Sequence, residues 1–358
     1  MASSKRWKNY KQIGIKTKKT YPFILGLAVG AGLTELLENV YLEVKSRLLN
    51  QTKSSSLSTT QIIEENYGLP KAIQNLHYSY YALGYDNAKK VPSWVAEYLT
   101  KAQLQGPAER YNCNFKHDLK IPAKFRSSNE DYLGSGFARG HMVPAGDIKS
   151  DQGGMSETFY LSNIVPQDYG NNGGFWYRME VYCRTLAKRY DGVYVISGPL
   201  FKPEKDDSGK KFLKFQVIGE NNVAVPTHLY KVILIEKNHK PKAIGSFIVP
   251  NATISDQKTL QDFQVSLEEI EKLTGYEIFP KLDNNRVKDL CAVDDCKLIK
   301  KELLDLYNMT RWLQKAKSNQ ELDKIWKVIK NKGIQVDQQF LDEYWKKKNQ
   351  FKQDEGNG

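Results

Sequence analysis

The sequence predicts an α+β fold, with a mostly antiparallel sheet through the middle of the chain and a small helical appendage at its C-terminal end. Three observations carry that prediction. Short β-branched and aromatic runs separated by turn residues recur between about residues 60 and 290. A long apolar pattern of helical period lies among them, and from residue 297 onward only helical spacing remains.

In chain order, residues 1–19 hold seven Lys/Arg and no Asp/Glu, and thirteen uncharged residues from Tyr21 to Leu33 follow. That run falls short of the ~20 apolar residues that span a bilayer. A secretory signal, a mitochondrial presequence with a membrane anchor, and a buried helix are all open readings. Positive charges spread among Ser and Thr, with no acid before Glu35, point toward mitochondrial import. We divide this part into a basic targeting segment (1–19), an apolar membrane-anchor or presequence segment (20–40) and a linker (41–60) that ends in a Ser/Thr-rich run.

Strands are expected at residues 91–95, 159–165, 193–196, 228–235 and 244–249. Between the second and third, Trp176, Met179, Cys183, Leu186, Ala187 and Tyr190 recur at spacings of three and four, which predicts a helix over 175–190. Ser266-Leu267-Glu268-Glu269 has the pattern of a capping box opening a second helix. Beyond 297, apolar stripes set between lysines (Leu303, Leu304, Tyr307, Trp312 and Leu313; Ile325, Trp326 and Ile329; Phe340, Leu341, Tyr344 and Trp345) predict further helices.

The net charge of +12 is concentrated at the ends: residues 1–19 are purely basic, 297–358 hold fourteen basic and nine acidic side chains, and the remainder is formally neutral. Bulk attraction for polyanions or anionic lipid therefore resides at the termini, and phosphate binding in the middle needs a local cluster. Four cysteines, Cys113, Cys183, Cys291 and Cys296, are too few and scattered for a disulfide framework and fit no zinc spacing. They read as structural thiols, with a Cys291–Cys296 disulfide open in an oxidising compartment.

The chemistry concentrates around His141. A lone strand histidine is ordinarily a satisfied core residue, but Arg139 precedes this one by two, so on an extended strand both side chains face one side. Gly140 between them leaves the other face open to close approach. Farther on, Asn172 stands at the start of the expected helix and Glu180 two turns inside it. An Asn there is ordinarily an N-cap; in a metal enzyme its amide oxygen is a hard ligand suited to Mg²⁺, which takes few protein ligands and keeps several waters.

Arg139-Gly140-His141-Met142 with Gly146, the segment FYLSNIVPQ ending at Gln167, and Asn172, Trp176 and Glu180 at four-residue spacing together resemble the DNA/RNA non-specific endonucleases of the ββα-metal fold. Similarity continues through Ser197-Gly198-Pro199-Leu200 and Tyr230-Lys231-Val232-Ile233-Leu234. The chain looks most similar to the mitochondrial exo/endonuclease G (EXOG) branch, whose C-terminal wing the lysine-rich helices resemble. Where endonuclease G carries Asp before the Arg-Gly-His run, this chain has Ala138.

The resemblance implies a nuclease domain over 61–296 and a wing over 297–358. It implies His141 as the general base, Asn172 as the single protein ligand of one Mg²⁺ for which Mn²⁺ substitutes, Glu180 orienting water about the ion, and Asn163 in a weaker supporting role. Arg139 and Arg110 would stabilise charge on the phosphate; Lys149 and Arg178, near the same strand and helix, read equally as holders of flanking phosphates or as solvated cations. Trp176 keeps helical period and reads as core; His77, His117, His228 and His239 are assigned no chemistry. Trp312, Trp326 and Trp345 read either as the helices' own core or as a face that stacks on bases.

With no reader of base edges, DNA and RNA are both expected substrates. The branch further implies 5′ exonuclease beside endonuclease action, a homodimer, and mitochondrial DNA maintenance at the inner membrane or intermembrane space, with the apolar segment attaching the protein to the membrane. Two alternatives stay open: an endonuclease G-like enzyme of DNA breakdown, and a membrane-tethered nucleic-acid-binding protein inactivated by Ala138.

Overall fold

The computed structural model describes residues 73–283 and 286–356. The targeting, apolar and linker segments expected within residues 1–60 lie outside them. Among the described residues no helix is long and apolar enough to cross a membrane.

One sheet organises the chain. Its spatial order is β1 (Ile73–His77), β2 (Tyr81–Asp86), β3 (Val91–Leu99), β6 (Gly192–Leu200), β11 (His228–Lys237), β12 (Lys240–Pro250) and β13 (Gln264–Val265), all antiparallel, with β14 (Lys288–Asp289) parallel beside β12. Two strands leave it to pair with each other, β4 (Ala138–His141) and β5 (Ile164–Gln167). Four short strands decorate the excursion after β6: β7 (Glu204–Lys205) with β8 (Lys211–Phe212), and β9 (Val217–Ile218) with β10 (Val223–Ala224).

Strand β11 shows why the sheet is a two-sided layer. Its residues Leu229 through Ile235 are all buried, as a central strand covered on both faces requires. Leu229, Ile233 and Ile235 enter the main core, while Tyr230 and Val232 enter a second core with Ile270 and Ile278. Among the described residues seven helices precede the final pair: α1 (Asn129–Tyr132), α2 (Gln152–Glu157), α3 (Tyr169–Gly173), α4 (Phe175–Arg189), α5 (Leu267–Thr274), α6 (Leu290–Asp294) and α7 (Lys301–Lys315). The last two are α8 (Asn319–Lys332) and α9 (Gln338–Gly356).

Helix α4 matches the periodic pattern and buries Trp176, Met179, Cys183, Leu186 and Ala187 in the main core. Side chains of this kind contribute roughly 1.5–3 kcal/mol each when fully buried. Helix α5 starts at the expected cap, where Ser266 Oγ accepts from the Glu269 amide, and stops at Gly275 with φ of 80°. The expected strand at 159–165 is only half present. Leu161–Asn163 form a 3₁₀ turn and the strand begins at Ile164, because the Asn163 side chain takes three backbone partners and bends the chain there.

Cys291 and Cys296 form a disulfide, which settles that alternative; Cys113 and Cys183 are free and buried. Within the bridged loop Asp294 accepts from the Tyr182 and Tyr190 hydroxyls and from Arg189, so the loop is tied to α4.

The final helices pack on each other through Met309, Leu313, Leu322, Ile325, Ile329, Phe340 and Tyr344. The core reading of the tryptophans holds for Trp326, which stacks on Tyr344 at 4.8 Å. It fails for Trp312 and Trp345, which are 51% and 53% exposed.

Candidate active site

Strand β4 delivers His141 to the end of the β4–β5 pair, opposite Ile164. Gly140 is required behind it: a Cβ there would stand 2.1 Å from Gln167 Oε1. Gln167 Nε2 donates to Asn171 Oδ1 at 2.6 Å, so the rear of β4 is linked to α3. Two strands followed by a helix thus converge on one locus.

The His141 ring lies between two aromatic walls, 5.2 Å from the Phe115 centroid and 4.8 Å from that of Phe159. Arg139 sits over Phe115 at 4.5 Å and Arg110 over Phe159 at 5.6 Å. The same-side relation expected of Arg139 and His141 is therefore realised through Phe115. Arg139 is further fixed by donating to Asn129 Oδ1 at 2.5 Å. His141 is 6% exposed, and its Nε2 is buried with no hydrogen-bond partner. Burial first, and the Arg110 cation second, hold the imidazole down at about 3, so the ring is neutral at physiological pH. A buried nitrogen with an unmet bond costs about 1–3 kcal/mol, which a ligand's proton would recover.

Asn172 lies inside α3, whose cap is Asp168; the N-cap reading therefore fails. The two neighbouring asparagines differ sharply. Asn171 is fully buried, its amide shared among Gln167, Pro250 and Ala252. Asn172 is half-buried, and no hydrogen bond engages its side chain among the described residues. No group of three or more His, Cys, Asp or Glu suited to a metal occurs among the described residues. A free amide oxygen fits an ion that retains most of its water better than one that demands a carboxylate cage.

Glu180 faces inward from α4. Burial raises its carboxyl to about 7 against the pull of Arg184, whose Nη1 lies 3.8 Å away. Arg184 is held more firmly by Asp147 at 2.6 Å. Burial alone would lower its guanidinium, but Asp147 and Glu180 outweigh it. A Cβ at Gly146 would meet Arg184 Nη1 at 3.2 Å, a close approach to a guanidinium that Asp147 holds. Sequence reasoning missed Asp147 and Arg184, as well as Phe115 and Phe159; the four-residue spacing of Arg184 from Glu180 was the available signal for one of them.

Asn163 Oδ1 accepts from the Val143 amide at 3.0 Å, and its Nδ2 donates to the Val143 and Thr158 carbonyls at 3.0 and 2.8 Å. It fixes the turn behind His141. Lys149 is half-buried; burial and then Arg311, Arg184, Lys188 and Lys315 hold its ammonium below the usual range, which marks a cluster of cations. Arg178 is 6% exposed and donates from Nε to the Ile299 carbonyl at 2.7 Å. That bond gives it a structural task. Beside His141, Arg110, Phe115, Asn129, Ala138, Arg139 and Tyr169 line a cavity of 390 Å³.

Residues 58–285 match the DNA/RNA non-specific endonuclease family. Mitochondrial nuclease EXOG of Mus musculus is 43% identical over 330 residues, covering 91% of this chain and 89% of the relative. The Homo sapiens EXOG is 46% identical over 306 residues, covering 84% and 83%. Mitochondrial endonuclease G of Homo sapiens is 39% identical over 216 residues, covering 60% and 73%. A solved EndoG, in complex with the inhibitor EndoGI, superposes with a TM-score of 0.59 at 40% identity, covering 65% of this chain and 96% of that one. The chain belongs to the DNA/RNA non-specific endonucleases, in their EXOG branch, and is a nuclease acting on phosphodiester bonds.

Proposed function

We propose that this chain is a Mg²⁺-dependent nuclease that combines 5′ exonuclease with endonuclease cleavage and serves mitochondrial DNA maintenance. One observation carries the catalytic reading: a neutral imidazole with an unmet, buried Nε2 stands between two aromatic walls, each bearing an arginine. His141 Nε2 takes a proton from water as the water oxygen bonds to phosphorus. The bond from phosphorus to the 3′ oxygen breaks, leaving a 5′-phosphate and, after protonation from solvent, a 3′-hydroxyl. Arg139, held by Asn129, and Arg110, exposed over the Phe159 ring, would hold the non-bridging oxygens, a task suited to planar forks of donors. Asn172 Oδ1 and, beyond it, Glu180 would hold and hydrate the ion, which when bound offsets charge on the phosphate and the departing oxygen.

Substrate tolerance follows from the same residues. In this reading each of them addresses phosphate or water, contacts that carry no sequence information directly. The cation cluster around Lys149 would hold flanking phosphates; Arg178, committed to Ile299, is no longer part of this proposal. Mitochondrial location is supported by the names of the EXOG relatives and by the acid-free basic N-terminus. The Cys291–Cys296 disulfide suits an oxidising compartment such as the intermembrane space. The homodimer and membrane attachment through residues 20–40 rest on the family resemblance and the sequence.

The test is cleavage of plasmid and of a 5′-labelled duplex by the wild type and by His141→Ala, with Mg²⁺, Mn²⁺ or EDTA. Short 5′-terminal products that need either ion and His141 support the reading. A ladder of internal cuts would move it to an endonuclease G-like activity. No cleavage with Mg²⁺ would favour the inactive binding protein, with Ala138 as the cause.

A further inference from the structure

The loop that carries Arg110 is held from two sides. On the core side, the Glu109 amide donates to Gln152 Oε1 at 2.8 Å, and Gln152 Nε2 returns a bond to the Glu109 carbonyl at 3.2 Å. On the other side, Lys315 Nζ donates to both carboxylate oxygens of Glu109, at 2.7 and 2.6 Å. Lys315 is the last residue of α7. Its neighbours Leu313 and Ala316 are buried in the C-terminal helical core, and Lys347 of α9 caps the helix end through the Gln314 and Ala316 carbonyls. The ammonium therefore projects from a fixed base.

The position of this pair matters more than its strength. Both side chains are partly exposed, 49% and 36%, and such ion pairs contribute little stability. Glu109 is the residue that opens the 3₁₀ turn Arg110–Asn112, yet its side chain makes no cap bond to that turn. It is committed to Lys315 instead. The next residue, Arg110, lies over Phe159, which is one wall of the His141 site.

We propose that Lys315 is a positioning residue for Arg110: through Glu109, the C-terminal helices set where the Arg110 guanidinium stands beside His141. This rests on the reading of Arg110 as a phosphate contact. Lys315 needs no contact with substrate in this role. Its effect travels along a two-point ion pair and one peptide unit, and misplacing a reacting group by about 1 Å can cost as much as ~10²-fold in rate.

The signs of two charge reversals separate this from simple attraction of a polyanion. If Lys315 and Glu109 act only through the field, Lys315→Glu weakens and Glu109→Lys strengthens binding of a negative substrate. Under positioning, both reversals lower kcat, by about tenfold, because like charges then face each other and push the Arg110 loop away. The exchanged pair, Glu109→Lys with Lys315→Glu, restores kcat to within about threefold, and in an Arg110→Ala background Glu109→Lys has no further effect.

The experiment is steady-state cleavage of a short labelled duplex by these variants, with kcat and KM separated and each melting temperature recorded. Wild-type or higher kcat for Glu109→Lys, or losses that add in the exchanged pair, would overturn the proposal. If Arg110→Ala is impaired while the reversals are silent, positioning alone fails. Arg110→Ala at the wild-type rate would instead remove the reading of Arg110 on which positioning rests, and both would fall.

Discussion

The nuclease core and the C-terminal helices spend their buried surface differently. In the core, polar groups lie inside: His141, Asp147, Asn163, Asn171 and Glu180 are all under 9% exposed. Most are tied to backbone or to one another, and His141 Nε2 is left with an unmet bond. The C-terminal core is built of aliphatic side chains with Phe340 and Tyr344, and its surplus aromatics, Tyr307, Trp312 and Trp345, face outward. Buried polarity of this kind is costly and is retained where chemistry uses it. The contrast teaches that the groups proposed to react belong to the core, while the final helices reach it through contacts such as the Lys315–Glu109 pair.

The largest effect expected from breaking this contrast is on His141. His141→Ala lowers cleavage by ~10²–10⁴, measured at saturating Mg²⁺. Its stability signature is opposite. Folding lowers the imidazole pKa, so the native state holds fewer protons there than the unfolded chain. That contribution is complete above the ordinary 6.5 and is lost as pH falls toward about 3. Thermal melts should therefore shift in favour of the variant, relative to wild type, between pH 6.5 and 4.

The two asparagines sharpen the comparison at single-residue scale. Asn172→Ala should lose cleavage by an order of magnitude or more while melting like wild type. Asn171→Ala should lower stability by about 1–3 kcal/mol, because Gln167 and two carbonyls lose their partner. Denaturant titration beside an activity assay separates the two.

In the C-terminal helices the order reverses. Leu313→Ala, fully buried, should cost about 2–5 kcal/mol. Trp312→Ala and Trp345→Ala should each fall within about 0.5 kcal/mol by denaturant titration. At Glu180 the expected effect lies in the pH dependence of stability. Its folded pKa is raised to about 7, so its contribution is intact below 4.5 and is lost as pH rises through 7; Glu180→Gln should gain on wild type in melts above that point.

The sequence made α4 legible almost to the residue, because its apolar side chains keep helical period and one face is fully buried. The three C-terminal helices were legible for the same reason, yet period alone could not tell Trp326, which packs inward, from Trp312 and Trp345, which do not. Strands β1 and β2 escaped notice: IQNLH is polar and lies at the sheet edge, and YALGYD is broken by a glycine that makes room for Trp94. At the site, the local motif exposed His141, Arg139 and Asn172. It hid Phe115, Phe159 and the Asp147–Arg184 pair, whose meeting depends on tertiary structure. For Arg178 the sequence could not reveal the Ile299 carbonyl that its Nε meets, a partner 121 residues away.

The most direct test of the central claim, a neutral and desolvated His141 between Phe115 and Phe159, is an NMR titration of its imidazole in the folded protein without substrate. The ring should remain neutral well below pH 6.5, with a midpoint displaced toward 3. An ordinary midpoint near 6.5 would mean that water reaches the ring freely, and would contradict the account.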